Sequence, residues 1–337
     1  MPMKLLHAAT DTIDPRIWTP DFQRMLAEIG ELEILEHASE LDTEALLARL
    51  RRADVLLGGW KCIRLPEALA EDWGRVRYCC CVTGGVRGFV TERHIQSGMP
   101  VTNWGDTSAI PIAEGAMCLL LATVKGIHDV IISVRDGGGP DTPLRAGGSL
   151  SEMTVGIFGF GVIGRRFAEL LRPFGPRMLV FDPYVENMPD GIEKAESLEA
   201  LFRSSQAVVI HAGLTDETRG AVTAELLSLL PRHGILINTA RGDIVDQAAL
   251  FRELESGRLR AGLDVLAEPE VLPADHPARR WPNLIWTCHD IDRLWPRGEG
   301  AAPLTRMHQV CLENLRRFEK GEPVQFLMDL RRFRLST

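Results

Sequence analysis

Residues 154–171 read Thr-Val-Gly-Ile-Phe-Gly-Phe-Gly-Val-Ile-Gly-Arg-Arg-Phe-Ala-Glu-Leu-Leu. An apolar strand, Thr154–Phe158, runs into Gly159, Gly161 and Gly164 and opens into a helical pattern. Few folds accommodate that order. Gly159 permits a tight turn, Gly161 lets a ligand approach the backbone, and Gly164 lets the helix pack close on the strand. The helix N-terminus then offers unpaired N–H groups to phosphates. The next apolar run, Met178–Phe181, ends in Asp182, 18 residues after Gly164. A carboxylate there accepts hydrogen bonds from the adenosine ribose hydroxyls and repels the extra phosphate of NADP. NAD is the expected cofactor. A plain glycine-rich turn, with Asp182 as a loop residue, is the competing reading. The ordered series of strand, glycines, helix, second strand and acid argues against it.

Short apolar runs alternate with helical patterns along almost the whole chain, which marks α/β architecture with parallel sheets. Strands are expected at Lys4–His7, Leu32–Glu36, Val55–Gly58, Val76–Val82 and Val101–Asn103, with a helix such as Thr43–Arg52 between them. They would form a flavodoxin-like domain. A long helix is expected from Pro111 to about Val134, placed to link two domains, and a glycine-rich loop from Asp136 to Ser151. Six further strands are expected at Thr154–Phe158, Met178–Phe181, Ala207–His211, Gly234–Asn238, Gly262–Val265 and Leu284–Thr287, a Rossmann-type set. An amphipathic helix, Ala301–Glu319, closes the pattern.

The length, 337 residues, suits two domains of about 150 residues each. The net charge of -8 favours no polyanionic partner such as nucleic acid. No apolar window reaches the roughly 18 residues of a membrane span, and the first residues lack an export signal's apolar run. The seven cysteines include no CxxC pair, and Cys79-Cys80-Cys81 sits inside an apolar run. That run reads as strand core, the thiols suit a reducing, cytoplasmic setting, and no metal site is expected.

Further polar residues fall at the ends of expected strands, the edge where open parallel sheets bind ligands. Arg241 follows Leu236-Ile-Asn-Thr-Ala, and His289 ends Ile285-Trp-Thr-Cys-His. An arginine fork pairs both oxygens of a carboxylate. A histidine exchanges protons near neutral pH. Between them Asp264, Glu268 and Glu270 supply acids. Taken singly, each has a bland reading as a solvated or structural residue. His211 also ends a strand and is better suited to packing than to chemistry.

Together these segments resemble the D-isomer-specific 2-hydroxyacid dehydrogenase family over nearly the whole chain. The resemblance rests on Thr154–Gly164, Ala207–Arg219, Ile237–Asp246 with its Asn-Thr-Ala-Arg-Gly core, Leu263–Val265 and Thr287–His289. It implies a Rossmann-type NAD-binding domain, 111–291, inserted into a flavodoxin-like substrate domain, 1–110 completed by 292–337. It implies a homodimer with the contact on the nucleotide domain, and hydride transfer between the nicotinamide and a small 2-hydroxy or 2-keto acid. Arg241 would bind the substrate carboxylate, His289 would supply the proton, and an acid behind His289 would hold its tautomer. Cofactor contacts would come from Gly159, Gly161, Val162, Ile163, Gly164, Asp182, Ala240 and Asp264, the last facing the carboxamide. A dinucleotide-sensing binding protein or corepressor on the same fold is the alternative, since fold does not fix function.

The chain departs from the family pattern in three places. Pro269 stands where the family has its supporting Glu, leaving Glu268 and Glu270 as candidates. The register of Leu272–Pro277 favours Glu270. Cys288 replaces the usual Pro, and Asp290 to Trp295 replace the small residues after the histidine. In the expected substrate loop, Thr83-Gly84-Gly85-Val86-Arg87, Gly84 and Gly85 can still present N–H groups to a carboxylate. Arg87 stands in place of an Asp, as a surface residue or a second anion contact. Trp60 and Trp104 fall in neighbouring loops, as pocket lining or as packing.

Overall fold

The computed structural model describes residues 2–139, 147–291 and 304–335. Among these, 2–108 with 304–335 form one compact unit, and 109–139 with 147–291 form a second. No single described helix is long and apolar enough to cross a membrane.

The first unit is built on a five-stranded parallel sheet: β1 Met3–Ala8, β2 Gly30–Leu35, β3 Val55–Gly58, β4 Tyr78–Cys81 and β5 Val101–Thr102. Their order is β2-β1-β3-β4-β5, the flavodoxin-like order. The helices are α1 Pro20–Ile29, α2 Thr43–Leu50 and α3 Glu92–Gln96. Strands covered on both faces must be apolar throughout. In β4, Cys79 and Cys81 enter one core while Tyr78 and Cys80 enter the other.

The second unit begins with α4 Ala109–Val124 and α5 Ile127–Arg135. The single long helix expected here is therefore two, bent by 58°. Gly126 breaks it by adopting φ +64°, a left-handed conformation that glycine takes without strain. Nor is α4 a free linker: it buries nine residues and packs on the sheet and on α6. Strands β6 Thr154–Phe158, β7 Arg177–Phe181, β8 Ile192–Lys194, β9 Ala207–Ile210, β10 Ile235–Asn238, β11 Arg260–Leu263 and β12 Leu284–Trp286 alternate with α6 Val162–Leu171, α7 Leu198–Ser204, α8 Ala224–Leu229 and α9 Gln247–Glu255. The order β12-β11-β10-β9-β6-β7-β8 is parallel throughout. It is the Rossmann order with one added strand beyond the sixth. The sequence leads to six of these seven strands; the one it misses, β8, is a three-residue edge strand, Ile-Glu-Lys, too short and too polar to show a period.

In the glycine-rich loop, residues 140–146 lie outside the described residues, and Leu150–Glu152 makes a single 3-10 turn. The C-terminal helix α10, Arg306–Glu319, returns to the first unit and covers β4 with Met307, Cys311 and Leu315. Residues 301–303 of the expected helix lie outside the described residues. The short α11, Leu330–Leu335, follows.

Buried histidines tie the fold to pH. Burial pushes His7 down to about 4, with a hydrogen bond to the Leu57 carbonyl opposing it, and pushes His211 down to about 3. The folded values lie below the ordinary 6.5, so the unfolded chain binds more protons as pH falls from 6.5. Stability present above that value is lost on acidification. At pH 5 the loss is about 2 kcal/mol per histidine. Calorimetric midpoints should therefore drop between pH 7 and 5. His211→Leu, which removes a ring packed on Phe167 with no partner for Nε2, should lessen that drop.

Candidate active site

The glycine-rich turn connects β6 to α6. Gly159 has φ +94°, and a Cβ there would come within 2.4 Å of the Ala212 nitrogen. A Cβ on Gly164 would lie 2.3 Å from the Gly159 carbonyl oxygen, so close helix–strand contact requires this glycine. Gly161 differs: a Cβ there meets nothing within 4 Å. The protein itself gives no steric reason for that glycine, whereas a bound pyrophosphate does. Val162 and Ile163 begin α6, whose N-cap Gly161 supplies no side-chain acceptor to the first turn. Those amides remain for an anion.

Asp182 lies at the end of β7. Its Oδ2 accepts from the Phe160 N–H at 2.7 Å and its Oδ1 from the Tyr184 N–H at 2.8 Å. The carboxylate is thus anchored beside the turn by backbone, with lone pairs left for hydroxyl donors. These residues fit the adenosine and pyrophosphate of a dinucleotide.

At the carboxyl end of β10, Asn238 shapes the following turn. Its Oδ1 accepts from the Ala240 N–H at 3.0 Å and its Nδ2 donates to the Arg241 carbonyl at 2.9 Å. Asparagine bonding its own backbone in this way is a turn-forming device. It presents Arg241, half-buried, with Nη1 donating to the Ala240 carbonyl at 2.7 Å. Burial lowers the Arg241 guanidinium from its ordinary value, and the charge of Glu270 opposes that. Among the described residues no carboxylate lies within 4 Å of it.

Glu270 also faces His289. Its Oε2 lies 3.0 Å from His289 Nδ1, while Glu268 is exposed. The pairing places a proton on Nδ1 and turns Nε2 outward, with no partner among the described residues. Arg241, Glu270 and His289 thus share one electrostatic neighbourhood at the carboxyl edge of the second sheet.

The backbone around His289 is unusual. Cys288 and His289 have φ of 56° and 57°, a conformation that costs a non-glycine residue about 1 kcal/mol or more. Buried Asp264 holds it. Its Oδ1 accepts from Thr287 Oγ1 at 2.6 Å and from the N–H groups of Asp290 and Ile291 at 3.0 and 3.1 Å. Burial pushes the Asp264 carboxyl up, while the Thr287 hydrogen bond and nearby His289 act against that. The sequence offers no sign of this use of Asp264, Thr287 and Asp290, because positive φ at non-glycine residues follows no residue pattern. The expected departure at 292–295 lies outside the described residues.

In the first unit, Thr83-Gly84-Gly85 follows β4. Among the described residues, the N–H groups of Gly84, Gly85 and Val86 have no hydrogen-bond partner. Arg87 turns to the C-terminal helix. Its Nη2 donates to the Arg334 carbonyl at 2.6 Å and its Nε to that of Phe333 at 3.3 Å, so it is a clamp on α11.

The family model of the D-isomer-specific 2-hydroxyacid dehydrogenase NAD-binding domain matches residues 117–290. D-3-phosphoglycerate dehydrogenase of Methanocaldococcus jannaschii is 31% identical over 80% of the chain, which spans about half of that protein (51%). Glyoxylate reductase of Pyrococcus furiosus is 31% identical over 88% of this chain and 89% of its own. Among solved structures, a D-isomer-specific 2-hydroxyacid dehydrogenase from Xanthobacter autotrophicus Py2, in complex with NADPH and MES, superposes with a TM-score of 0.73 at 25% identity, covering 99% of this chain and 100% of that one. Matched over half its length by the family model and over most of it by these relatives, the chain belongs to the D-isomer-specific 2-hydroxyacid dehydrogenases.

Proposed function

We propose that the chain reduces a small 2-keto acid to the 2-hydroxy acid, and catalyses the reverse, with NAD(H) as hydride carrier. The arrangement of Arg241, Glu270 and His289 within one unit is the observation that carries this reading. NAD, when bound, supplies or accepts the hydride. Gly159, Gly161, Val162, Ile163, Gly164, Asp182 and Ala240 would hold it. Asp264 would act near its carboxamide end through the turn it anchors. Arg241 would hold the substrate carboxylate, and the N–H groups of Gly84 and Gly85 would be the first unit's own substrate contacts. His289 Nε2 would deliver a proton to the keto oxygen, with Glu270 orienting the ring through Nδ1. In this reading the first unit is the substrate domain and the second the NAD-binding domain.

The test follows NADH absorbance at 340 nm with a panel of 2-keto acids. Turnover supports the reading. Tight NADH binding without turnover of any member overturns it. Asp182 further supports NAD over NADP, since its fixed carboxylate would meet the 2′-phosphate. Asp182→Ala should shift the NADH to NADPH ratio of kcat/KM toward NADPH by at least tenfold.

A homodimer in the cytoplasm completes the proposal. Seven free thiols suit a reducing compartment. Helix α5 has no buried residue, and Ile127, Ile131 and Val134 form an exposed apolar stripe along it. Such a stripe is suited to a symmetric contact with a second copy. Sedimentation should give twice the 37.4 kDa chain mass, and Ile131→Asp should return the monomer.

A further inference from the structure

Two tryptophans stand at the carboxyl edge of the first sheet and have no part in the chemistry above. Trp60 follows β3 and Trp104 follows β5, on either side of the Gly84-Gly85 turn after β4 in the sheet order. Their rings meet edge to face, with centroids 6.4 Å apart at 84°. Trp104 lies directly on the turn: a Cβ on Gly84 would fall 2.2 Å from its Nε1. Trp60 keeps 38% of its surface exposed. A cation touches this corner: the Arg16 guanidinium sits 4.8 Å from the Trp60 ring centre. Its fork is already taken by Asp14, with Nε to Oδ1 at 2.9 Å and Nη2 to Oδ2 at 2.7 Å. Lys61, next in the chain, also acts on Asp14.

We propose that Trp60 and Trp104 recognise the substrate's side chain and select 2-keto acids bearing a flat apolar group, such as an aryl ring, over glyoxylate. The proposal rests on the hydride-transfer reading for the placement of the keto acid at Gly84 and Gly85. A keto acid held by the free N–H groups there has an aromatic corner beside it. Rings set at 84° form an aromatic corner, and a third ring packs against such rings favourably. Glyoxylate has no side chain and would leave Trp60 uncovered. The paired state of Arg16 removes the obvious anchor for a distal carboxylate.

The test compares phenylpyruvate, glyoxylate and 2-oxoglutarate in NADH turnover. It also compares phenyllactate with glycolate by calorimetry on the NAD-loaded full-length protein. Phenylpyruvate should exceed the other two in kcat/KM by at least tenfold. Trp60→Ala should reduce the phenylpyruvate to glyoxylate ratio at least fivefold, chiefly through KM. Trp104→Phe, which keeps a ring on Gly84, should reduce it less. Faster turnover of glyoxylate or 2-oxoglutarate overturns the proposal, as does a ratio unmoved by Trp60→Ala. If no keto acid turns over, the hydride-transfer reading fails and calorimetry decides this one. Trp60-dependent preference for phenyllactate sustains it, and equal binding of both acids overturns it.

Discussion

Replacing His289 by asparagine should lower kcat by about a thousandfold while leaving NADH affinity within twofold. General acid–base catalysis by a positioned side chain contributes roughly 10²–10⁴-fold, and asparagine keeps polarity and approximate size but transfers no proton. The ring depends on two supports. Glu270, 3.0 Å from Nδ1, orients it, and Asp264 holds the left-handed turn that carries it. Glu270→Gln can keep a hydrogen bond to Nδ1 but no longer fixes the tautomer, so it should cost roughly a hundredfold, the lower end of what a positioned proton donor contributes. Steady-state kinetics with NADH titration by fluorescence separates these effects. Full activity in the His289→Asn variant would remove histidine from the proton transfer.

Much of this architecture is legible before any coordinates. Strands such as Val55–Gly58 and Thr154–Phe158 carry unbroken apolar runs because both sheet faces are buried. The dinucleotide loop is equally plain: Gly159 and Gly164 answer separate steric demands of the fold, and Gly161 leaves the turn open to a ligand. The break at Gly126 is harder to see. A lone glycine in a helical pattern is compatible with continuation, and only packing of α4 on the sheet decides that the chain turns there. At the site, Arg241 and His289 show themselves through residue type and strand-end position. The choice of Glu270 over Glu268 leans on downstream register, and the geometry adds a distance that the sequence cannot supply. The Asp264 network stays invisible because it joins residues over 20 positions apart through backbone N–H groups, which no residue type announces. Arg87 reads from the sequence as a surface residue or a second anion contact; it is exposed, and carbonyls of α11 occupy its guanidinium.

Arg241 carries the second large effect. Arg241→Lys retains the charge but loses the planar fork that binds two carboxylate oxygens at once. A charge-assisted bidentate pair in a partly desolvated site contributes about 4 kcal/mol, so Arg241→Ala should lower kcat/KM by roughly a thousandfold. The lysine variant should recover no more than about a tenth of the parent value. The guanidinium is already desolvated, half-buried and without a carboxylate partner among the described residues, so an arriving carboxylate relieves a cost the fold has incurred. That predicts a loss shared between KM and kcat, because the same fork would also meet charge developing on the keto oxygen. Free guanidinium, added to Arg241→Ala at millimolar concentration, should restore part of the rate, whereas the same salt should do nothing for His289→Asn. An Arg241→Ala variant with parental kcat/KM would remove the guanidinium from carboxylate binding.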